Sequence, residues 1–210
     1  ALDHGNRRVL RYAADGRLVN AWGWPGAGPG EFGPAGTSID IGPTGDVFVG
    51  DPANGRVQRF TAWGAFVTDV CLGRRAGDGH CPPDESDRTL MAALPDGRFA
   101  VGRVTTAADR SVSSTVTVHG ADGTPERTWP IDYTTAIESD SRGRIVIALP
   151  RHSRVEVYYA VGTRLATLGR RGSAGASADP GTFQLCQDFG GPMLPSRDYD
   201  CSSRIVSIGP

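Results

Sequence analysis

Short β-prone runs broken by glycine, proline or Asp-Gly pairs follow one another along most of the chain, and no long helix is expected. Four nine-residue segments align without gaps: residues 8–16 (RVLRYAADG), 56–64 (RVQRFTAWG), 115–123 (TVTVHGADG) and 154–162 (RVEVYYAVG). Each has Val second, a ring-bearing residue fifth (Tyr12, Phe60, His119, Tyr158) and Gly ninth. Upstream, residues 44–51, 96–103 and 142–149 share a turn glycine followed by a β run, which predicts a hairpin. A further apolar run precedes each of these (38–41, 90–93, 134–137), and a fourth follows the ninth-position glycine, as in 17–23 and 164–169. The turn glycines Gly45, Gly97 and Gly143 lie 52 and 46 residues apart. Four short strands at that period predict an all-β fold, a β-propeller of four-stranded antiparallel blades. A lone blade cannot bury both its faces, so blades stack radially and cover one another.

The residues carrying the pattern are similar to a known repeat. GPGEF (28–32), an apolar run, a turn glycine and then VFVGDPANGRVQRF (47–60) resemble the NHL-type repeat and the six-bladed bacterial propellers built from it. DHGNRRVLRY (3–12) repeats the DPANGRVQRF (51–60) signature. The third unit has Arg103 where Asp51 stands, the fourth reads LPRHSRV (149–155), and beyond residue 180 only GTF (181–183) is similar to GEF. The resemblance implies one propeller domain over 1–210: a partial blade at 1–29, blades at about 30–80, 81–130 and 131–180, and a partial blade at 181–210. Six blades of about 45 residues need roughly 270. About a blade and a half is therefore expected outside this chain, most simply on its N-terminal side, unless the ring is open and something else covers its edges.

Composition narrows the function classes. A formal net charge of -1 argues against nucleic acid as a partner. All 22 basic side chains are Arg, which removes Schiff-base and lysine-base mechanisms. Four cysteines form two local pairs, Cys71 with Cys81 and Cys186 with Cys201. Disulfides are the expectation, ahead of free thiols and of zinc: His80 adjoins Cys81, but the paired short spacings of a structural zinc site do not occur. No apolar stretch approaches the roughly 20 residues of a membrane span. Because the chain opens on Ala1 within a repeat unit, a signal peptide or more is expected ahead of it, and the expected location is periplasmic or secreted. Peripheral membrane association stays open.

Asp51, Asn54 and Arg56 form a polar cluster, read as structural because its members recur in other units. Of the four histidines, His119 takes a packed strand position, His152 matches Asn6 and Asn54, and His4 and His80 lie in connections. Related six-bladed folds include zinc-dependent peptide-amide lyases and calcium-dependent lactonases, whereas the axis-facing runs around 37–39, 90–92 and 134–137 offer mainly apolar and hydroxyl groups. The acidic clusters at 83–87 and 197–200 lack EF-hand spacing. No catalytic, cofactor-binding or metal-binding residue is assigned.

Departures from the repeat point to partners instead. Arg103 to Thr115 takes 12 steps where Asp51 to Arg56 takes 5, an insertion of seven residues within 104–114. Loops that break a repeat often form its contact surface. The loop between Cys71 and Cys81 is the second candidate. Expected partner contacts are Arg74, Arg75, Arg103 and Arg110 as bidentate donors, with Trp22, Trp24 and Trp63 as exposed anchors. The expected function is a non-catalytic extracytoplasmic binding or assembly module without cofactor, such as an extrinsic subunit of a larger membrane-attached complex. The alternative is a metal-assisted lyase or hydrolase with its site in the axial funnel. RNA binding, as in NHL domains of tripartite-motif proteins, ranks third for want of basic excess.

Overall fold

A computed structural model describes residues 1–34, 38–73, 76–77, 79–84, 86 and 88–169. Strands β1 (Leu2–Asp3), β2 (Arg8–Tyr12) and β3 (Leu18–Trp22) form blade 1. A short parallel pair, β4 (Trp24–Pro25) with β5 (Glu31–Phe32), leads to blade 2: β6 (Ile39–Ile41), β7 (Val47–Asp51), β8 (Arg56–Phe60) and β9 (Phe66–Cys71). Blade 3 comprises β10 (Arg88–Ala93), β11 (Phe99–Thr106), β12 (Val112–His119) and β13 (Pro125–Ile131). Blade 4 comprises β14 (Ala136–Ser139), β15 (Ile145–Leu149), β16 (Arg154–Tyr158) and β17 (Arg164–Leu168). Every blade is an antiparallel meander. Asp3 pairs with Arg8 as Asp51 pairs with Arg56, so β1 to β3 correspond to the second, third and fourth strands of a full blade.

The period of two along each strand becomes two interfaces. Val47 and Val49 of β7 pack toward blade 1 with Val9, Trp22, Phe32 and Phe60, while Phe48 between them packs toward blade 3 with Met91, Ala93, Phe99 and Val101. Ala92, Ala100, Val116 and Val118 turn the opposite way and meet Ile137, Ile145 and Ile147 of blade 4. Full burial of a side chain such as Phe60 contributes about 1.5–3 kcal/mol, and each blade supplies several.

The nine-residue segments have a common geometry. Their ring residue sits where the third and fourth strands shift register, at Tyr12, Phe60, His119 and Tyr158. At the ninth position a Cβ on Gly64 would lie 2.5 Å from the Trp22 ring of the preceding blade, and its φ is +84°. The glycine therefore serves both the turn and the seam between blades. That seam also accounts for Trp22, which is only 8% exposed. An exposed role for Trp22 is thus corrected: it fills the core between blades 1 and 2.

Second and third strands are joined by single 3-10 turns, Pro52–Asn54 and Pro150–His152, each ending in a left-handed residue, Gly55 and Ser153. In blade 3 the insertion instead lengthens the ladder. Beyond Arg103↔Thr115 come Val104↔Ser114, Thr105↔Ser113 and Thr106↔Val112, and Arg110 takes φ +66° in the turn. In an antiparallel meander these connections emerge at the same end as the blade-to-blade connections, here the connection face. The tight turns between first and second and between third and fourth strands emerge at the other, the turn face. No helix among the described residues is long and apolar enough to cross a membrane.

Candidate functional site

The connection face is organised by polar side chains that tie each incoming connection to its blade. In blade 2 the Asp51 carboxylate is buried and accepts the Gly33 N–H at 2.9 Å, Asn54 Nδ2 at 2.8 Å and Arg56 Nε at 3.2 Å. Arg56 Nη2 donates to the Gly28 and Glu31 carbonyls at 2.7 and 3.0 Å, and Gln58 Nε2 to the Glu31 carbonyl at 2.7 Å. Asn54 Nδ2 also reaches the Gly26 carbonyl at 2.9 Å. A glycine-rich loop offers its backbone freely, and this cluster satisfies it. Asp51, Asn54 and Arg56 are occupied in architecture.

Blade 3 does the same work with opposite charge. Arg103, at the register position of Asp51, donates to the Leu72 carbonyl and faces Asp84 at 3.5 Å. Asp84 Oδ2 in turn accepts the Ser86 and Thr89 hydroxyls at 2.7 and 3.0 Å. The connection that Arg103 holds is the one closed by the Cys71–Cys81 disulfide. It rests on blade 2 as well, since Leu72 N–H donates to the Gly55 carbonyl at 2.8 Å and Asp84 N–H to the Pro52 carbonyl at 2.9 Å. A Cβ on Gly55 would fall 1.6 Å from the Pro82 carbonyl oxygen, whereas Ser153 fills the matching place in blade 4. Arg103, expected as a partner contact, is therefore the brace between the disulfide loop and the base of the extended hairpin.

The remaining predicted contacts separate. Arg110 is exposed at the hairpin tip on the connection face. Trp24, 63% exposed, lies on the same face in the connection between blades 1 and 2. Trp63, 65% exposed, belongs to a third-to-fourth-strand turn and so lies on the turn face, with the Arg11 guanidinium 4.2 Å from its ring. Trp24 and Trp63 cannot anchor one surface. Arg74, Arg75, Cys186 and Cys201 lie outside the described residues.

Further along the connection face, Asp132 pairs with His152, and Arg151 stacks on Tyr133 at 4.6 Å. Burial pushes the Asp132 carboxyl up, but the Tyr133 N–H and the His152 ring together hold it below the usual range. His152 thus fills in blade 4 the place of Asn54, with its acidic partner supplied by the incoming connection.

The inner strands carry two groups that the pattern of apolar runs did not single out. Asp40 of β6 accepts the N–H groups of Ala93 and Ile41, each at 2.7 Å, and burial pushes its carboxyl up against the pull of those bonds. The Glu138 carboxyl of β14 is pushed up by burial and then by the charge of Asp40. Ser139 donates to the Ala93 carbonyl, so blade 3's inner strand is held from both sides. The spacing of turn glycines could have revealed both acids: Asp40 precedes Gly45 by five residues and Glu138 precedes Gly143 by five. Among the described residues no three His, Cys, Asp or Glu side chains gather to hold a metal ion.

No family model matches the chain, and no curated protein matches it in sequence. Its fold is nevertheless found among solved structures. A protein of unknown function from Bacteroides caccae superposes with a TM-score of 0.50 and 14% identity, over 80% of this chain and 56% of that one. A streptogramin B lyase superposes with a TM-score of 0.50 and 14% identity, over 79% and 48%. The chain thus spans about half the length of these structures. At such identity the likeness is one of fold, and that fold is the β-propeller.

Proposed function

We propose that the protein is a non-catalytic binding or assembly module working outside the cytoplasm, and that its partner surface is the connection face of blades 2 and 3. One observation carries this reading. The two largest departures from the repeat, the disulfide-closed connection and the lengthened hairpin, are neighbours joined through Arg103. A braced surface loses little conformational freedom on binding, which favours recognition over mere solvent exposure. Arg110 at the tip presents a bidentate donor to a protein partner. The Cys71–Cys81 disulfide supports an oxidising compartment, periplasmic or extracellular. The same reading takes the repeats as NHL-type and the ring as six-bladed, supported by the Asp-x-x-Asn-x-Arg set whose internal hydrogen bonds recur in blades 1 and 2.

Replacing residues 104–114 by the Pro-Ala-Asn-Gly connection of blade 2 tests the proposal. The shortened protein should keep its β-sheet circular dichroism and melt cooperatively, yet lose the partner that co-purifies with the natural protein. Undiminished co-purification would remove the hairpin from the reading. The alternative, a metal-assisted lyase or hydrolase in the axial funnel, draws on the Asp40 and Glu138 carboxyls of the inner strands. Stoichiometric zinc or calcium retained by the natural protein after dialysis would favour it over a plain module.

A further inference from the structure

The outer strand of one blade reaches the inner strand of the next through residues 23–38, through residues 72–87 and, between blades 3 and 4, through residues 132–135 alone. In blade 2 the long connection is gripped by Arg56 and Gln58, and Arg56 itself lies between two carboxylates, Asp51 at 3.2 Å and Asp69 at 3.3 Å. Blade 4 carries Arg154 and Glu156 in the same register and has neither carboxylate. Leu149 stands opposite Arg154 where Asp51 stands opposite Arg56, and Thr167 stands opposite Glu156 where Asp69 stands opposite Gln58. The acid of this strand is Glu156, 3% exposed. Its Oε1 lies 2.9 Å from Arg154 Nη2 and accepts Arg164 Nη1 at 3.1 Å, and its Oε2 accepts the Tyr158 hydroxyl at 2.5 Å. Two guanidinium groups thus share one carboxylate, which leaves positive charge in excess.

Arg154 Nε is buried with no hydrogen-bond partner among the described residues, and so is Ser114 Oγ. Both belong to one seam. Ser114 follows the strand parity of Val116 and Val118, which pack on blade 4, and Arg154 follows that of Tyr158, which packs on Trp129 of blade 3. In the nine-residue alignment Ser114 stands one step before Thr115, the counterpart of Arg154, so the two groups come from facing walls at about the same height. Ser114 is 4% exposed, whereas the Arg154 side chain is 32% exposed and carries the cluster to the surface. Two unpaired donors beside an excess of positive charge suit an anion with two acceptor oxygens. We propose that the connection-face end of the seam between blades 3 and 4 binds a carboxylate. One oxygen accepts Arg154 Nε, in the place that Asp51 takes in blade 2, and the other accepts the Ser114 hydroxyl. The carboxylate is that of a small free acid or of an acidic side chain in a peptide, and the assignment is independent of the partner surface on blades 2 and 3.

Nitrogen-15 NMR of the arginine Nε–H groups in the full chain tests this, with sodium acetate as the probe and sodium chloride at equal ionic strength as its control. The Arg154 resonance, assigned by its absence in Arg154→Ala, should move along a saturable curve with acetate and hold its position with chloride. Ser114→Ala deletes an unpaired hydroxyl, so it should fold as wild type does and weaken acetate about tenfold. Arg142→Ala, in an exposed turn, should leave the affinity unchanged. Acetate should also raise the melting temperature of wild type, and raise that of Ser114→Ala less. Acetyl-Gly-Asp-Gly-amide separates the two sources: binding tighter than acetate assigns the seam to a peptide side chain, and weaker binding assigns it to a free acid. A linear shift shared with chloride, no shift at all, as for a seam that holds water alone, or equal acetate affinity in Ser114→Ala would each overturn the proposal.

Discussion

Blades 2 and 3 solve one mechanical problem with opposite charges. At the end of the second strand each must fasten a connection arriving from the blade before. Blade 2 uses Asp51, because residues 26–33 present the Gly33 N–H and the neighbouring Asn54 and Arg56 can be drawn onto the same carboxylate. Blade 3 uses Arg103, because its connection presents the Leu72 carbonyl and the Asp84 carboxylate. Blade 4 has Leu149 there and fastens its short connection by the Thr134 hydroxyl, which donates to the Ala148 carbonyl at 2.8 Å. Position in the repeat sets the task. The incoming backbone decides which residue performs it.

The contrast is broken most severely at Asp51. Asp51→Ala leaves the Gly33 N–H and Arg56 Nε without their acceptor, while Arg56 keeps the Asp69 carboxylate at 3.3 Å, so a loss of about 2–3 kcal/mol in unfolding free energy is expected from urea titration. Asp51→Asn keeps an acceptor for Gly33 but discards the charge opposite Arg56, and should fall between Ala and wild type. A cost below about 1 kcal/mol for Asp51→Ala would show that residues 26–33 hold themselves in place.

Arg103 should be less costly to remove, since its side chain is 30% exposed and water can reach the groups it leaves. Arg103→Ala is expected to cost about 1–2 kcal/mol, with Asp84→Ala similar and the double variant less than the sum. Arg103→Asp restores the blade 2 residue against a connection that offers it only a carbonyl and a like charge, and should be worse than alanine. Equal stability of the Asp and Ala variants would mean that charge complementarity plays no part in bracing the disulfide loop.

The regular part of this organisation is legible without coordinates. The nine-residue alignment locates the third strand of all four blades and the turn that follows, because a ring at a bulge and a glycine at positive φ leave a local signature. The seven-residue surplus between Arg103 and Thr115 likewise appears as three added strand pairs and a turn. What escapes is set by partners distant in sequence. Trp22 beside Gly23 and Trp24 looks like an exposed aromatic, and only Gly64 of the next blade explains its burial. Arg103 looks like a free cation until Leu72 and Asp84 are placed against it. Glu138 escapes because it stands one step past the apolar run 134–137, and Asp40 because it lies inside the run 38–41 between two isoleucines.

The smallest expected effect separates the ring residues of the two blades. Phe60 cannot titrate, whereas His119, stacked on Phe99 with centroids 5.0 Å apart, can. Burial holds the His119 imidazole below its ordinary value of 6.5 against the opposing bond to the Gly123 carbonyl, 3.2 Å from Nδ1; the Arg103 charge adds to burial and Glu126 opposes it. Below about pH 6.5 the unfolded chain therefore binds a proton that the folded protein resists. His119's contribution is complete above that pH and declines as the pH falls through the folded value. Melting temperatures of wild type and His119→Phe should run parallel from pH 8 to about pH 7, then separate as the solution is acidified, wild type dropping faster. Parallel curves down to about pH 5 would place the imidazole in contact with water and return the fifth position of blade 3 to the surface.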